Sequence, residues 1–225
     1  MATPLTVPGT PSRGWLVLIG GGEFSFGETE EIDRFLLGKL PPDRRRIAFL
    51  PTASGSTEYA RHFAAYVHGL DPEVEVLNVP VYRGRDARRG RNLEWISEAG
   101  MVYAGGGIVN RFLFTIRESP AEEAMRAVLD GGGIVAAIGA AASAFGAVCR
   151  DMEGREPWLE GLDWISDSVI ETSFEPADDT GLRRLVSLPR IQMGFGIPAG
   201  MALAIAPDRS GEIVGSGSLA VVRKP

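Results

Sequence analysis

The chain has 225 residues, 44% of them hydrophobic and 23% charged, the values of an ordinary globular protein, which exclude disorder over most of its length. Lysine and arginine number 23 against 29 aspartates and glutamates, a formal net charge of -6, which argues against a protein whose task is to neutralise a phosphate backbone. The single cysteine, Cys149, can form no internal disulfide, so a reducing, cytoplasmic setting is expected.

Residues 1–13 contain no continuous apolar segment of the kind an export signal needs, and their prolines and threonines predict a flexible tail ahead of a single domain over residues 14–225. Trp15 to Ile19 is an apolar run closed by Gly20, Gly21 and Gly22, the pattern of a central parallel strand ending in a glycine turn. A helix is predicted from Glu28 to Leu40. Its apolar residues Ile32, Phe35, Leu36 and Leu40 recur at helical spacing, and Glu28, Glu30, Glu31 and Asp33 place negative charge where the helix dipole favours it. Ile47 to Leu50 reads as a second strand stopped by Pro51, Thr57 to Leu70 as a second helix and Val74 to Val79 as a third strand. Arg83 to Arg91 holds five arginines with no aromatic among them, which predicts a solvated loop and helix start rather than a nucleic-acid patch.

Met101 to Tyr103 reads as a short strand closed by Gly105, Gly106 and Gly107. Ser119-Pro120-Ala121-Glu122 is a helix-capping signal, with glutamate placed to bond back to the serine amide, and the helix is expected to end near Leu129. Gly131 to Cys149 runs 19 residues without a charge, close to a bilayer-spanning length. Its opening glycines would break a helix, so a buried strand at Ile134 to Ile138 turning into a tightly packed helix is predicted, with no membrane contact. Strand-like runs follow at Ser168 to Ile170, Ala202 to Ala206, Ile213 to Val214 and Leu219 to Val222. Strands alternating with helices predict an α/β fold, a three-layer sandwich with a mostly parallel central sheet. Ligands in such folds bind beyond the carboxyl ends of the strands, where the glycine-rich turns converge.

No nucleotide fingerprint is present, and Glu23 beside the first glycine turn would repel a phosphate, so no cofactor is expected. The two histidines, His62 and His68, lie on different sides of one predicted helix and form no metal site. The passage Ile138-Gly139-Ala140-Ala141-Ala142-Ser143-Ala144 has the build of a nucleophile elbow, a strand running into a turn crowded with tiny residues.

At these residues the chain resembles the cyanophycinase and α-aspartyl dipeptidase family of serine peptidases, whose elbow reads Gly-Thr-Ser-Ala-Gly-Ala. Gly20-Gly21-Gly22-Glu23, Pro51-Thr52-Ala53-Ser54 and Tyr103-Ala104-Gly105-Gly106 resemble three further turns of that family in the same order. The resemblance implies a class I glutamine amidotransferase-like, flavodoxin-like fold. Laid on Gly139 to Ala144, the family serine falls on Ala141; the family histidine falls on Ser173, and an acidic position on Ala199. The expectation is therefore a catalytically degenerate homologue, a binding or regulatory protein for a small acidic amino acid or peptide. Gly22, Glu23, Gly105, Gly106, Gly107 and Ala142 would line its pocket, with the amides of Gly106 and Ala142 facing the oxyanion space. The alternative is an active hydrolase of aspartyl-type peptides that uses Ser143, with Glu171 or Glu175 as base, or another non-standard group. Cys149 is expected to be a buried thiol rather than a nucleophile. A third reading is a structural partner in a homo-oligomer.

Overall fold

The computed structural model describes residues 5–9 and 12–224. Its first half alternates strand and helix: β1 (Leu5–Thr6), β2 (Trp15–Ile19), α1 (Glu30–Lys39), β3 (Arg46–Leu50), α2 (Thr57–Leu70), β4 (Glu75–Asn78), α3 (Gly90–Ser97), β5 (Met101–Ala104), α4 (Val109–Ile116), α5 (Pro120–Asp130) and β6 (Ile134–Ile138). The second half is richer in strands: α6 (Ala140–Ser143), β7 (Gly146–Cys149), β8 (Leu159–Glu160), β9 (Ile165–Thr172), α7 (Thr180–Val186), β10 (Met193–Ile197), β11 (Ala202–Ile205), β12 (Ser210–Val214) and β13 (Ala220–Arg223).

The main sheet has eight strands in the order β1-β12-β11-β2-β6-β5-β3-β4. From β2 to β4 neighbours are parallel, while β11, β12 and β1 complete the other edge antiparallel. Period-two alternation sends Leu16, Leu18, Ala48, Leu50, Val102 and Val135 to one face, under α3, α4 and α5. Val17, Ile19, Ile47, Phe49, Tyr103 and Ala136 go to the other, under α1 and α2. Burying each large apolar side chain contributes roughly 1.5–3 kcal/mol. Both faces being covered explains why the central strands are apolar throughout.

A second sheet, β13-β10-β9-β7-β8, packs beside the first and carries α7. The apolar spacing of the chain holds no sign of it as a separate sheet. Glycine is required in β10 because a Cβ at Gly194 would strike Leu182 and Val186, and one at Gly196 would lie 2.6 Å from the Phe174 ring. Gly146 leads into strand β7 rather than a continuation of the predicted helix, which stops after Ser143.

Two further expectations need correction. Within the predicted flexible tail, Leu5–Thr6 pairs antiparallel with Ser210 and Gly211, and Val7 is buried; residues 1–4, 10 and 11 lie outside the described residues. At the α5 cap, the Ser119 hydroxyl accepts from the Glu122 amide as expected. The Glu122 carboxylate, however, accepts from the Glu118 amide at 2.9 Å and the Trp164 indole at 2.9 Å, because the Ser119 amide is already donated to Ile116.

Candidate active site

Beyond the carboxyl ends of β2, β6 and β5 lie three glycine-bearing turns. The chain leaves β6 through Gly139, whose φ of 58° and ψ of -131° lie in a region L side chains rarely enter. Its amide donates to the Ile19 carbonyl at 2.9 Å and α6 begins at the next residue, so Gly139 is the strained residue of the elbow. A Cβ built on Gly139 would meet nothing within 4 Å, so the turn opens onto free space.

Ala141 does not stand at that position. It lies on α6, completely buried, two residues past the strained one. The positive φ falls on the first small residue of the run rather than the third, so Gly139, which carries no side chain, and not Ala141 stands at the elbow, and an attacking group must come from a neighbouring residue.

The space beside the elbow is a cavity of about 400 Å³ whose lining includes Ser143, Ser173, Glu171, Arg150, Ala140 and Gly107, with Met152, Ile170 and Leu185 forming an apolar wall. Ser143 ends α6, and its hydroxyl donates to the Ala140 carbonyl at 2.8 Å. Ser173 follows β9 with a φ of 48°, an unusual conformation for a residue with a side chain. Its amide and its hydroxyl both donate to the Gly20 carbonyl, at 2.6 and 3.3 Å. A Cβ on Gly21 would come within 3.1 Å of that hydroxyl, so the first glycine turn and Ser173 fit each other closely. Glu171 forms an ion pair with Arg150, whose guanidinium is largely exposed.

Arg150 leads into a loop pinned by its neighbour Asp151. The Asp151 carboxylate accepts from the Asn110 side-chain amide at 2.6 Å and from the backbone amides of Glu153, Arg155 and Glu156 at 2.8 Å each. The Asn110 hydrogen bond, then those from the backbone, hold the Asp151 carboxyl down at about 2. On the other side of Arg150, burial pushes the Cys149 thiol up to about 12, with the Asp151 charge adding to it. A thiol kept protonated in this way is a poor nucleophile, in keeping with the expected buried role.

Of the six residues expected to bind, Gly107 alone is among those lining this cavity. Gly105 has its amide committed to the Leu50 carbonyl, and a Cβ there would press on Phe49 and Tyr59. The Gly106 backbone bonds the Tyr59 hydroxyl, whose pKa burial raises to about 12. The Ala142 amide donates to Gly139 within the α6 turn, so it does not face an oxyanion. Gly22 and Glu23 sit at the first turn, outside the lining, where the Glu23 amide donates to Glu28. Ala199 is exposed in the turn after β10, beside Gly21 and outside the cavity lining, and Glu175 is exposed outside the cavity.

His62 and His68 are both exposed on α2. Among the described residues no cluster of histidine, cysteine or carboxylates could hold a metal ion, and no helix is long and apolar enough to cross a membrane. Sequence reasoning missed Arg150. The signal was its place as the first charge after the uncharged run of residues 131–149.

A model of peptidase family S51 matches residues 16–209. The chain is 26% identical over 212 residues to the uncharacterized peptidase YgaJ of Bacillus subtilis, covering 90% of this chain and 88% of that one. Its fold matches that of a peptidase from an acI-B1 Actinobacterium with a TM-score of 0.78 at 21% identity, covering 93% and 91% of the two chains. The α/β architecture with a mostly parallel central sheet is thus one that a solved peptidase shares. These findings overturn the expectation of a degenerate, non-catalytic binding or regulatory protein. The relatives are named as peptidases. With the match running from the first strand of the core to the residue before β12, the chain belongs to peptidase family S51.

Proposed function

We propose that the chain hydrolyses short peptides carrying an acidic side chain, and that Ser143 supplies the attacking hydroxyl. The observation that carries this reading is the cavity beside the Gly139 elbow, which collects the hydroxyls of Ser143 and Ser173, the Glu171 carboxylate and the Arg150 guanidinium. Serine is a weak nucleophile until a base takes its proton, and Glu171 is the carboxylate that lines the cavity. Arg150 offers a planar fork suited to a substrate carboxylate. An arriving carboxylate competes with Glu171 for that fork, which frees Glu171 to accept the Ser143 proton.

In the first half-reaction the Ser143 oxygen bonds to the peptide carbonyl carbon, its proton passes to Glu171, and the leaving amine takes that proton as the C–N bond breaks. In the second half, water attacks the ester, giving its proton to Glu171, which returns it to the serine oxygen as the acyl group departs. The amides of Gly107 and Ala140, residues that line the cavity, are the backbone donors available to the oxyanion. Ser173 is a positioning residue in this scheme, locking β9 to the first glycine turn through Gly20. A cytoplasmic setting belongs to the same reading, supported by a lone cysteine that is free and buried.

The test is turnover of aspartyl dipeptides by the purified chain. Ser143→Ala is expected to lower kcat by roughly 10³-fold or more, as removal of a nucleophile does. Arg150→Ala is expected to raise KM for acidic peptides more than for neutral ones. Unchanged turnover in Ser143→Ala contradicts the assignment.

A further inference from the structure

A second cavity, of about 610 Å³, lies beyond the ends of β3 and β4 and shares no lining residue with the pocket holding Ser143. Its walls include Thr52, Tyr82, Arg83, Arg85, Asp86 and Arg111. Three arginines and one carboxylate therefore line it, in a chain whose overall charge is negative.

That carboxylate is already engaged. Asp86 accepts from the backbone amides of Tyr82 and Arg83, at 3.3 and 3.1 Å, and pairs with Arg89 at 3.3 Å and more loosely with Arg85 at 3.8 Å. It thereby fixes the loop that presents Tyr82 and Arg83. Neither Arg83 nor Arg111 has a carboxylate within 4 Å among the described residues; Arg111 reaches only the Ser54 carbonyl, at 3.4 Å. The Tyr82 hydroxyl oxygen is buried, with no hydrogen-bond partner among the described residues. Guanidinium groups gathered at one cavity without a facing carboxylate repel one another, and an oxyanion would relieve that repulsion.

We propose that this cavity binds a small oxyanion carrying two or more negative charges, of the phosphate or polycarboxylate kind, held by Arg83, Arg85 and Arg111. Guanidinium forks match both kinds of oxyanion. A cavity lined by a single aromatic, Tyr82, suits a compact ion better than a nucleic-acid strand. The proposal does not rest on the hydrolase reading, since it concerns different residues and is tested by binding.

The experiment is calorimetric titration of the whole chain with inorganic phosphate and, separately, with citrate, at low ionic strength. Saturable one-to-one binding of at least one of them is expected, and which one binds assigns the kind of oxyanion. Arg83→Ala with Arg111→Ala should weaken it at least about tenfold, consistent with the loss of charge-assisted hydrogen bonds. Ser143→Ala, in the other pocket, should leave it unchanged. Should the double alanine variant fail to fold, Arg83→Lys with Arg111→Lys keeps the charge, loses the fork, and is likewise expected to bind more weakly. Absence of saturable binding to both anions, equal affinity in the folded arginine variants, or binding of an oligonucleotide alone would overturn the proposal.

Discussion

Ser143 and Ala141 sit two residues apart on the same short helix, and the strained backbone angles belong to neither but to Gly139 ahead of it. The crowding of small residues after β6 was legible in the sequence as an elbow. Gly139, the one glycine of residues 139–144, was the signal for where the positive φ falls, and laying the family serine on Ala141 passed over it. Asp33 is another residue whose role the sequence hides. It reads as a charge at the start of a helix, yet it is buried and accepts hydrogen bonds from Thr29 at 2.8 Å and Tyr66 at 2.9 Å. Burial raises its pKa from 3.8 to about 6, against the opposing effect of those two hydrogen bonds. The folded state therefore holds this proton more tightly than the unfolded chain does. The stabilising contribution is complete below about pH 4 and is lost as pH rises through about 6, a change on the order of 3 kcal/mol. Asp33→Asn keeps an acceptor and removes the ionisation. Denaturant unfolding of both proteins should show the variant gaining stability relative to the parent between pH 4 and pH 8, by roughly 2–3 kcal/mol. Parallel pH profiles would contradict the buried-carboxylate account.

At the scale of elements, the strands and helices of the first half were largely readable, because their apolar spacing matches the faces they bury. α4 was not. Its apolar residues Val109, Phe112, Leu113 and Ile116 recur at helical spacing, but the run is only eight residues long and Ile108 provides no side-chain cap to mark its start. β10 escaped for another reason: its two glycines weaken the strand signal, yet the close approach of α7 and Phe174 demands them. The loop after β7 owes its shape to one aspartate. Asp151 gathers three backbone amides and Asn110, and its lowered pKa means this contribution is present above about pH 4 and is lost as pH falls through about 2. Asp151→Asn turns an amide group toward those donors. Hydrogen exchange at Glu153, Arg155 and Glu156 should then speed up by at least about tenfold at neutral pH. The loop carries Met152, a wall of the candidate active site, so its loosening should also raise KM for peptides. Unchanged exchange would show that the carboxylate does not hold the loop.

On the scale of the whole molecule, two sheets and their turns meet around one opening. Gly20 accepts from Ser173 and Gly21 accepts from Gly200, at 2.6 and 2.9 Å, so the turns after β9 and β10 are tied to the one after β2. The sequence made the convergence of glycine turns readable, since each follows an apolar strand. It did not reveal that residues from β9 would face the elbow, because contacts across more than a hundred residues leave no local pattern. The central claim is that the opening at Gly139 is a working hydrolase site with Ser143 as its attacking group. Its most direct test is to treat the folded protein with a fluorophosphonate and locate the adduct by peptide mass spectrometry. One phosphonyl group on Ser143, accompanied by loss of aspartyl-peptide turnover, is the predicted result; full turnover by protein whose Ser143 is unlabelled after complete labelling elsewhere would contradict it.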